Sequence, residues 1–177
     1  MLKILPFALV LPVVAGCTPM ASAPGTTAQS AAGPAATAIL RDASGADRGT
    51  ATVTPTDMGM RITVMASGMT PGPKGLHIHA VGKCEAPKFM TAGSHWNPDM
   101  KQHGRDNPMG AHIGDLPNID IGADGRGTAT IDVMSSPATL MAGEGKSVII
   151  HAAADDYRTD PTGNSGDRIA CGVFAAG

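Results

Sequence analysis

Short apolar runs bounded by turn-prone residues recur along most of this chain, and their length suits strands. The runs fall at residues 38–42, 49–55, 60–66, 76–80, 116–121, 127–133, 147–152 and 169–174. Pieces such as Asp42-Ala43-Ser44-Gly45 and Thr56-Asp57-Met58-Gly59 separate them, and Asp124-Gly125-Arg126-Gly127 has the composition of a hairpin turn. No amphipathic helix stands between consecutive runs to serve as the crossover that a parallel sheet needs. The pattern predicts an all-β domain of eight antiparallel strands, folded as a sandwich or flattened barrel.

One run and one gap depart from this rhythm, both through histidine. In Gly75-Leu76-His77-Ile78-His79 the histidines are spaced i, i+2, so on a strand both imidazoles share one face while Leu76 and Ile78 share the other. One face then feeds a core and the other a metal. Residues 95–115 contain Pro98, Gly104, Pro108 and Gly110, follow no helix or strand period, and make an unusually long irregular loop. Core packing cannot order such a segment, whereas metal binding supplies folding free energy directly. The loop carries His95, His103, His112 and Asp115, and the remaining histidine is His151. All six histidines thus lie between residues 77 and 151, in an order that suits two metal sites sharing one ligand. Three imidazoles and a carboxylate suit tetrahedral zinc, and four imidazoles suit the tetragonal preference of copper(II).

Length and composition narrow the picture further. A chain of 177 residues suits one domain with an appendage. Aromatic residues are only 3% against 23 glycines and 14 prolines, which favours a turn-rich β protein filled by Val, Ile, Ala and Met. A net charge of -2 and the lack of any Lys/Arg run disfavour nucleic acid as a partner. Residues 1–16 read as a targeting segment: Lys3 starts it, an apolar stretch follows, and Val14-Ala15-Gly16-Cys17 resembles the lipobox of bacterial lipoproteins. That resemblance implies cleavage before Cys17, lipid on its thiol and attachment to a membrane of the cell envelope. Thr18 after the cysteine would favour the outer membrane in a Gram-negative host. An ordinary secretory signal cut near Ala15 is the alternative. The apolar stretch, broken by Pro6 and Pro12, is too short to span a bilayer. Residues 17–38 then form an uncharged, flexible Ala/Ser/Thr/Pro/Gly tether spanning roughly 25 Å, and residues 39–177 the folded domain.

The histidine motifs, taken in order, resemble those of the copper/zinc superoxide dismutases over about residues 39–175. They are Gly75-Leu76-His77-Ile78-His79-Ala80-Val81-Gly82-Lys83-Cys84, then Gly93-Ser94-His95-Trp96-Asn97-Pro98, His103-Gly104 and His112-Ile113-Gly114-Asp115. Val148-Ile149-Ile150-His151 with Ala154-Asp155-Asp156, and Gly163-Asn164-Ser165-Gly166-Asp167-Arg168-Ile169-Ala170-Cys171-Gly172, complete the set. The resemblance implies a Greek-key sandwich with long metal-binding and electrostatic loops, holding one copper and one zinc per chain. His77, His79, His95 and His151 would hold copper. His95, His103, His112 and Asp115 would hold zinc, with His95 as the shared ligand. Asp155 would link a copper-bound histidine to a zinc-bound one, and Arg168 would stand beside the open copper position. Cys84 and Cys171 would form a disulfide closing 87 residues, worth at most about 4–5 kcal/mol in the chain-entropy picture and requiring an oxidising compartment.

The implied activity is disproportionation of two superoxide anions to O2 and H2O2 by Cu2+/Cu+ cycling, with zinc structural. Histidine 95 would leave copper on reduction, take a proton, and return it to the peroxide. The segment between Asp155 and Arg168 carries Arg158, Asp160 and Asp167, but not the lysine and paired glutamates that many eukaryotic members use for steering. Arg158 is expected to be a solvated loop charge. Met58, Met60, Met65 and Met69 are expected to fill gaps in an aromatic-poor core or to lie on the surface rather than to relay copper. A homodimer is one assembly that the family allows. The second functional reading is a non-catalytic copper- or zinc-buffering lipoprotein on the same fold.

Overall fold

The computed structural model describes Met1 and residues 33–177. The targeting segment, Cys17 and most of the tether lie outside the described residues. The strands are β1 (Ala36–Arg41), β2 (Asp47–Thr56), β3 (Gly59–Ala66), β4 (Gly72–Lys74), β5 (Leu76–His79), β6 (Ile119–Ile121), β7 (Gly127–Val133), β8 (Ser147–His151), β9 (Arg168–Val173) and β10 (Ala175–Ala176). A 3-10 turn at Met90–Ala92 and a five-residue helix α1 (Pro137–Met141) are the helical pieces of the described residues.

One curled antiparallel sheet runs β5-β8-β9-β1-β2-β3-β7, with β10 added on β1, and β4 pairs with β6 separately. Each of the eight expected runs contains a strand, with ends shifted by a few residues. The first begins at Ala36, and Ala36 and Ala38 are both buried, so the ordered sheet reaches back beyond residue 39. The run at 116–121 is strand only from Ile119, because Pro117 has no N–H and the Asn118 N–H donates to Tyr157 Oη at 2.8 Å; the Asn118 side chain meanwhile donates to the Asp155 carbonyl at 3.0 Å and accepts from the Asp155 N–H at 2.8 Å. The hairpin turn before β7 is present, with Gly122 N–H bonded to the Arg126 carbonyl at 2.8 Å and Gly125 at φ 73°.

Alternation builds the core. In β3, Met60, Ile62, Val64 and Ala66 are buried while Arg61 and Met65 point outward. These residues join Leu40, Val53, Ile131 and Val133 in the main apolar cluster, which extends to Leu76, Ile78, Val148 and Ile150 beneath the histidine-bearing strands. Helix α1 exists for local reasons: Ser136 caps it by accepting the Thr139 N–H at 3.1 Å, Pro137 opens it, and Leu140 reaches the core.

The long loop is anchored where it meets β5. Ile78 N–H bonds to the Gly114 carbonyl at 2.9 Å, Trp96 N–H to the Ile78 carbonyl at 2.8 Å, and Ala80 N–H to the Ser94 carbonyl at 2.9 Å. The two ends of the loop therefore cover the edge of β5 that β8 leaves unpaired. The Cys84–Cys171 disulfide, with Cα atoms 5.7 Å apart, ties the segment after β5 to β9.

Candidate metal centre

Strand β5 sends Leu76 and Ile78 into the apolar core and His77 and His79 to the opposite side, and all four residues are buried. His151 comes from the end of the neighbouring β8, and the loop that covers β5 delivers His95. One ligand atom from each of His77, His79, His95 and His151 lies within 4.8 Å of the others. His77 Nδ1, His79 Nε2, His95 Nε2 and His151 Nε2 are buried and have no hydrogen-bond partner. An orphaned buried acceptor costs about 1–3 kcal/mol, so four of them converging in one place describe a cation site rather than a satisfied core.

The other ring nitrogens are occupied, which fixes the direction of each imidazole. His77 Nε2 is 2.6 Å from Asp155 Oδ2, His79 Nδ1 is 2.9 Å from the Gly93 carbonyl oxygen, and His151 Nδ1 is 3.1 Å from the Gly166 carbonyl oxygen. As N–H donors on these positions, the three rings present a lone pair inward on the other nitrogen.

A second cluster adjoins the first through His95. The Nδ1 atoms of His95, His103 and His112 stand 2.9, 3.0 and 3.1 Å from Asp115 Oδ1. These separations approach the edge of about 3.3 Å expected between ligands bonded tetrahedrally at about 2.0 Å. His103 Nδ1 is close to Asp115 without the alignment of a hydrogen bond, and it too is a buried orphan. Asp115 Oδ2 is held by the N–H groups of Gly104 and His112, both at 3.0 Å, leaving Oδ1 for the cluster. Distance alone also groups His77 with His95, His103 and Asp115. The ring contacts favour His112 in that place, because His77 uses Nε2 on Asp155 while His112 Nδ1 faces Asp115 directly.

Asp155 joins the clusters. Its Oδ2 meets His77 and its Oδ1 lies 3.0 Å from His103 Nε2, so one carboxylate orients a ring from each. Gly163, at φ 63°, leaves space for this bridge, since a Cβ there would collide with the Asp155 carboxylate and lie 2.6 Å from His103 Nε2. Arg168, at the start of β9, donates from Nη1 to the Phe89 carbonyl and from Nη2 to the Gly93 carbonyl, both at 2.7 Å. Its charge is felt by His79 and His151, whose protonated forms it disfavours. Burial lowers its own pKa, but guanidinium remains cationic at neutral pH.

Burial holds three rings of the first cluster neutral: His79 is lowered to about 2, His151 to about 3 and His95 to about 4, each aided by neighbouring positive groups. His77 is lowered in the same direction, chiefly by burial and against the pull of Asp155. His103 differs. Burial opposes its charge, but the Asp115 and Asp155 carboxylates outweigh burial and raise it to about 9. Burial would raise both carboxylates, yet their histidine hydrogen bonds prevail and hold them well below the usual range. The first cluster is therefore a neutral nest of nitrogen donors, and the second pairs an ionised carboxylate with a protonated His103.

The expected site residues of the described chain all come together here, and Cys84 and Cys171 are bonded. Arg158 stands apart: it is 74% exposed, with a loose 3.8 Å approach to Asp106, as a solvated loop charge should be. The carbonyls of Gly93 and Gly166, and the Asn118 side chain that clasps Asp155, are functional groups that sequence reasoning missed. A carbonyl carries no residue signature, so only the fold reveals the first two.

A curled antiparallel sheet whose loops carry two histidine clusters joined through one ring defines an all-β protein able to hold two metal ions. The copper/zinc superoxide dismutase family is matched over residues 47–174, and the chain belongs to that family, which uses copper and zinc. A copper/zinc superoxide dismutase of Deinococcus radiodurans is 40% identical over 159 residues, covering 81% of this chain and 85% of that protein. The superoxide dismutase-like protein YojM of Bacillus subtilis is 45% identical over 129 residues, 67% of this chain, which spans 64% of that relative. Among solved structures, a superoxide dismutase-like protein from Bacillus subtilis superposes with a TM-score of 0.73 at 39% identity, over 77% of this chain and 96% of that one. The copper/zinc superoxide dismutase of Brucella abortus does so with a TM-score of 0.65 at 28% identity, over 77% and 97%.

Proposed function

We propose that this chain is a superoxide dismutase, converting two superoxide anions and two protons to O2 and H2O2. The carrying observation is the four-histidine cluster with inward orphan nitrogens, sharing His95 with a carboxylate-containing cluster and flanked by Arg168. In this reading His77, His79, His95 and His151 hold copper, and His95, His103, His112 and Asp115 hold zinc. Copper supplies the one-electron exchange with superoxide, and zinc a fixed charge and geometry.

The side chains do the rest. Arg168 attracts the anion and orients it by charge and hydrogen bonding, an effect for which superoxide dismutases are a standard example. Its two carbonyl contacts keep the guanidinium from collapsing toward the histidines. His95 is neutral because it is buried, so its Nε2 can take up a proton and release it to the departing peroxide while Nδ1 stays in the second cluster. Asp155 is a positioning residue that keeps His77 and His103 in their tautomers.

The second reading is metal buffering without turnover, which the 45% identity to a protein named only superoxide dismutase-like keeps in view. Metal content by mass spectrometry, measured alongside superoxide consumption on the chain loaded with both ions, separates the two. The enzyme reading expects about one copper and one zinc per chain, rapid copper-dependent consumption, and a slower Arg168→Ala variant that keeps its metals. Full metal content with no consumption would leave the buffer.

Export to a bacterial cell envelope, with the chain held to a membrane by lipid on Cys17, is part of the same proposal. The Cys84–Cys171 disulfide and the lipobox-like Val14-Ala15-Gly16-Cys17 support it. Cys17→Ser should move the protein from the membrane fraction to the soluble one; retention in the membrane would overturn the lipid anchor.

A further inference from the structure

Sulfur is sorted to the surface of this domain. Between residues 33 and 177 eight large apolar side chains are exposed, and six of them are methionines, whereas Met60 is the sole methionine among the twelve largest fully buried side chains. A surface selected for apolar contact would draw on Leu, Ile and Phe as readily. With only Ile39 and Val173 beside them, and Met60, Met69 and Met141 left to the core, the exposed thioethers are the soft donors this surface offers.

Two of these methionines share one place. Met58, 77% exposed on the turn between β2 and β3, and Met134, 82% exposed just after β7, line the same cleft of about 330 Å3. The register explains why. Met60 faces Val133 across β3 and β7, so continuing the ladder sets Gly59 opposite Met134 and Met58 one step beyond. Gly59, at φ 147°, lies so close to β7 that a Cβ would come within 2.4 Å of the Val133 carbonyl, which presses the Met58 turn against the Met134 strand end. Met58 sits on the two-residue turn closed by the Thr56–Gly59 pair and so is released from strand alternation, and two three-bond side chains bordering one cleft can reach a single ion. Asp57, exposed beside Met58 in the same cleft, adds negative charge, while Asp132 is already bound by Arg61 through contacts of 2.8 and 2.9 Å. The edge Asp132-Val133-Met134 also lines an adjoining hollow of about 180 Å3, whose far wall includes His112 and Asp115.

We propose that Met58 and Met134 form a surface chelate for a soft monovalent cation, cuprous copper, outside the two histidine clusters. Neutral thioethers select such an ion over zinc or copper(II), which the imidazole and carboxylate clusters take. The site binds without redox change, and its existence does not depend on superoxide turnover.

The test uses the full chain with copper and zinc already loaded, labelled with 13C at the methionine methyl groups, and titrated with silver(I) in chloride-free buffer as a redox-inert stand-in. The Met58 and Met134 methyl signals should move together and saturate at one equivalent, at a silver concentration about tenfold or more below that which moves Met100, the most exposed methionine of the folded domain. Met58→Leu, which keeps the apolar bulk on an exposed turn, should raise the half-saturation of Met134 by about tenfold or more, because the chelate becomes a single donor. Met134→Leu should do the same to Met58. Unchanged titration of either partner in these variants, no movement of the pair, or movement of Met100 at the same concentration would overturn the proposal.

Discussion

The β1-β2-β3-β7 wall and the loop corner of this molecule treat buried groups in opposite ways. The wall buries Leu40, Val53, Ile62, Val64 and Ile131 on strands whose backbone groups satisfy one another. The corner buries histidines and carboxylates on irregular backbone and leaves five ring nitrogens without partners. Apolar burial completes the wall from within the chain. The corner is complete only when something positive fills it, and inward lone pairs on neutral rings beside the Asp115 carboxylate describe what that must be.

Metal removal should separate the two regions most sharply. An ion at 1,000 times its dissociation constant stabilises by about 4 kcal/mol, and the two clusters draw on both sources of their order at once. Chelation should abolish hydrogen-exchange protection in residues 95–115 and 155–167 while β2 and β3 remain protected. Loss of protection in all regions together would show that the wall depends on the metals as well. Leu40→Ala attacks the other side: Leu40 is fully buried, so the substitution should cost about 2–5 kcal/mol in denaturant unfolding of the loaded protein. It should leave metal content unchanged, and parallel loss of metal would erase the distinction.

A finer cut removes the contact that joins the clusters. Asp155→Asn keeps the shape but cannot accept from both His77 and His103, so zinc affinity should fall about 10–100-fold by competition with a chelator. An unchanged affinity would demote Asp155 to a packing residue. The pH response sharpens the comparison last. His103, raised to about 9, stabilises the metal-free fold fully below its unfolded value of 6.5, and that contribution is lost as pH rises through about 9. His79, His95 and His151 are lowered, so below 6.5 the unfolded chain takes up protons first and stability falls as pH drops toward about 4 and beyond. Urea unfolding of the metal-free protein should therefore be most resistant near pH 6.5. At pH 7, zinc binding to the metal-free protein should release about one proton, from His103, as calorimetry in buffers of different ionisation enthalpy would read. Zinc binding without proton release would mean that His103 is not the protonated ring.

How much of this was visible beforehand follows the same division. The wall was legible because alternation in stretches such as Met60-Arg61-Ile62-Thr63-Val64 is a local property, and each expected run holds a strand. The ligand-type residues were legible because His77 and His79 at i, i+2 and a Gly/Pro-rich loop with three histidines have few other uses. Strand β4 is three residues long and includes Pro73, and β10 has two residues, too little for any period to show. The strand in 116–121 is shorter than its apolar run because the Asn118 N–H answers to Tyr157, 39 positions away, and no short window along the sequence contains both. The Gly93 and Gly166 carbonyls became functional through placement alone.

The Gly93 carbonyl accepts from His79 Nδ1 and Arg168 Nη2, while its segment is also pinned by the Phe89 carbonyl and by Cys84. Within ten residues the backbone is thus fastened at three points to β9, with Gly93 holding β5 as well. The consequence concerns which insertions the chain can absorb. One residue added between Cys84 and Gly93 would slide one carbonyl away from a ligand and an arginine together, so that segment has a fixed length. The turn at Asp124-Gly125, which carries no such attachment to the clusters, can lengthen and leave both metal sites in place.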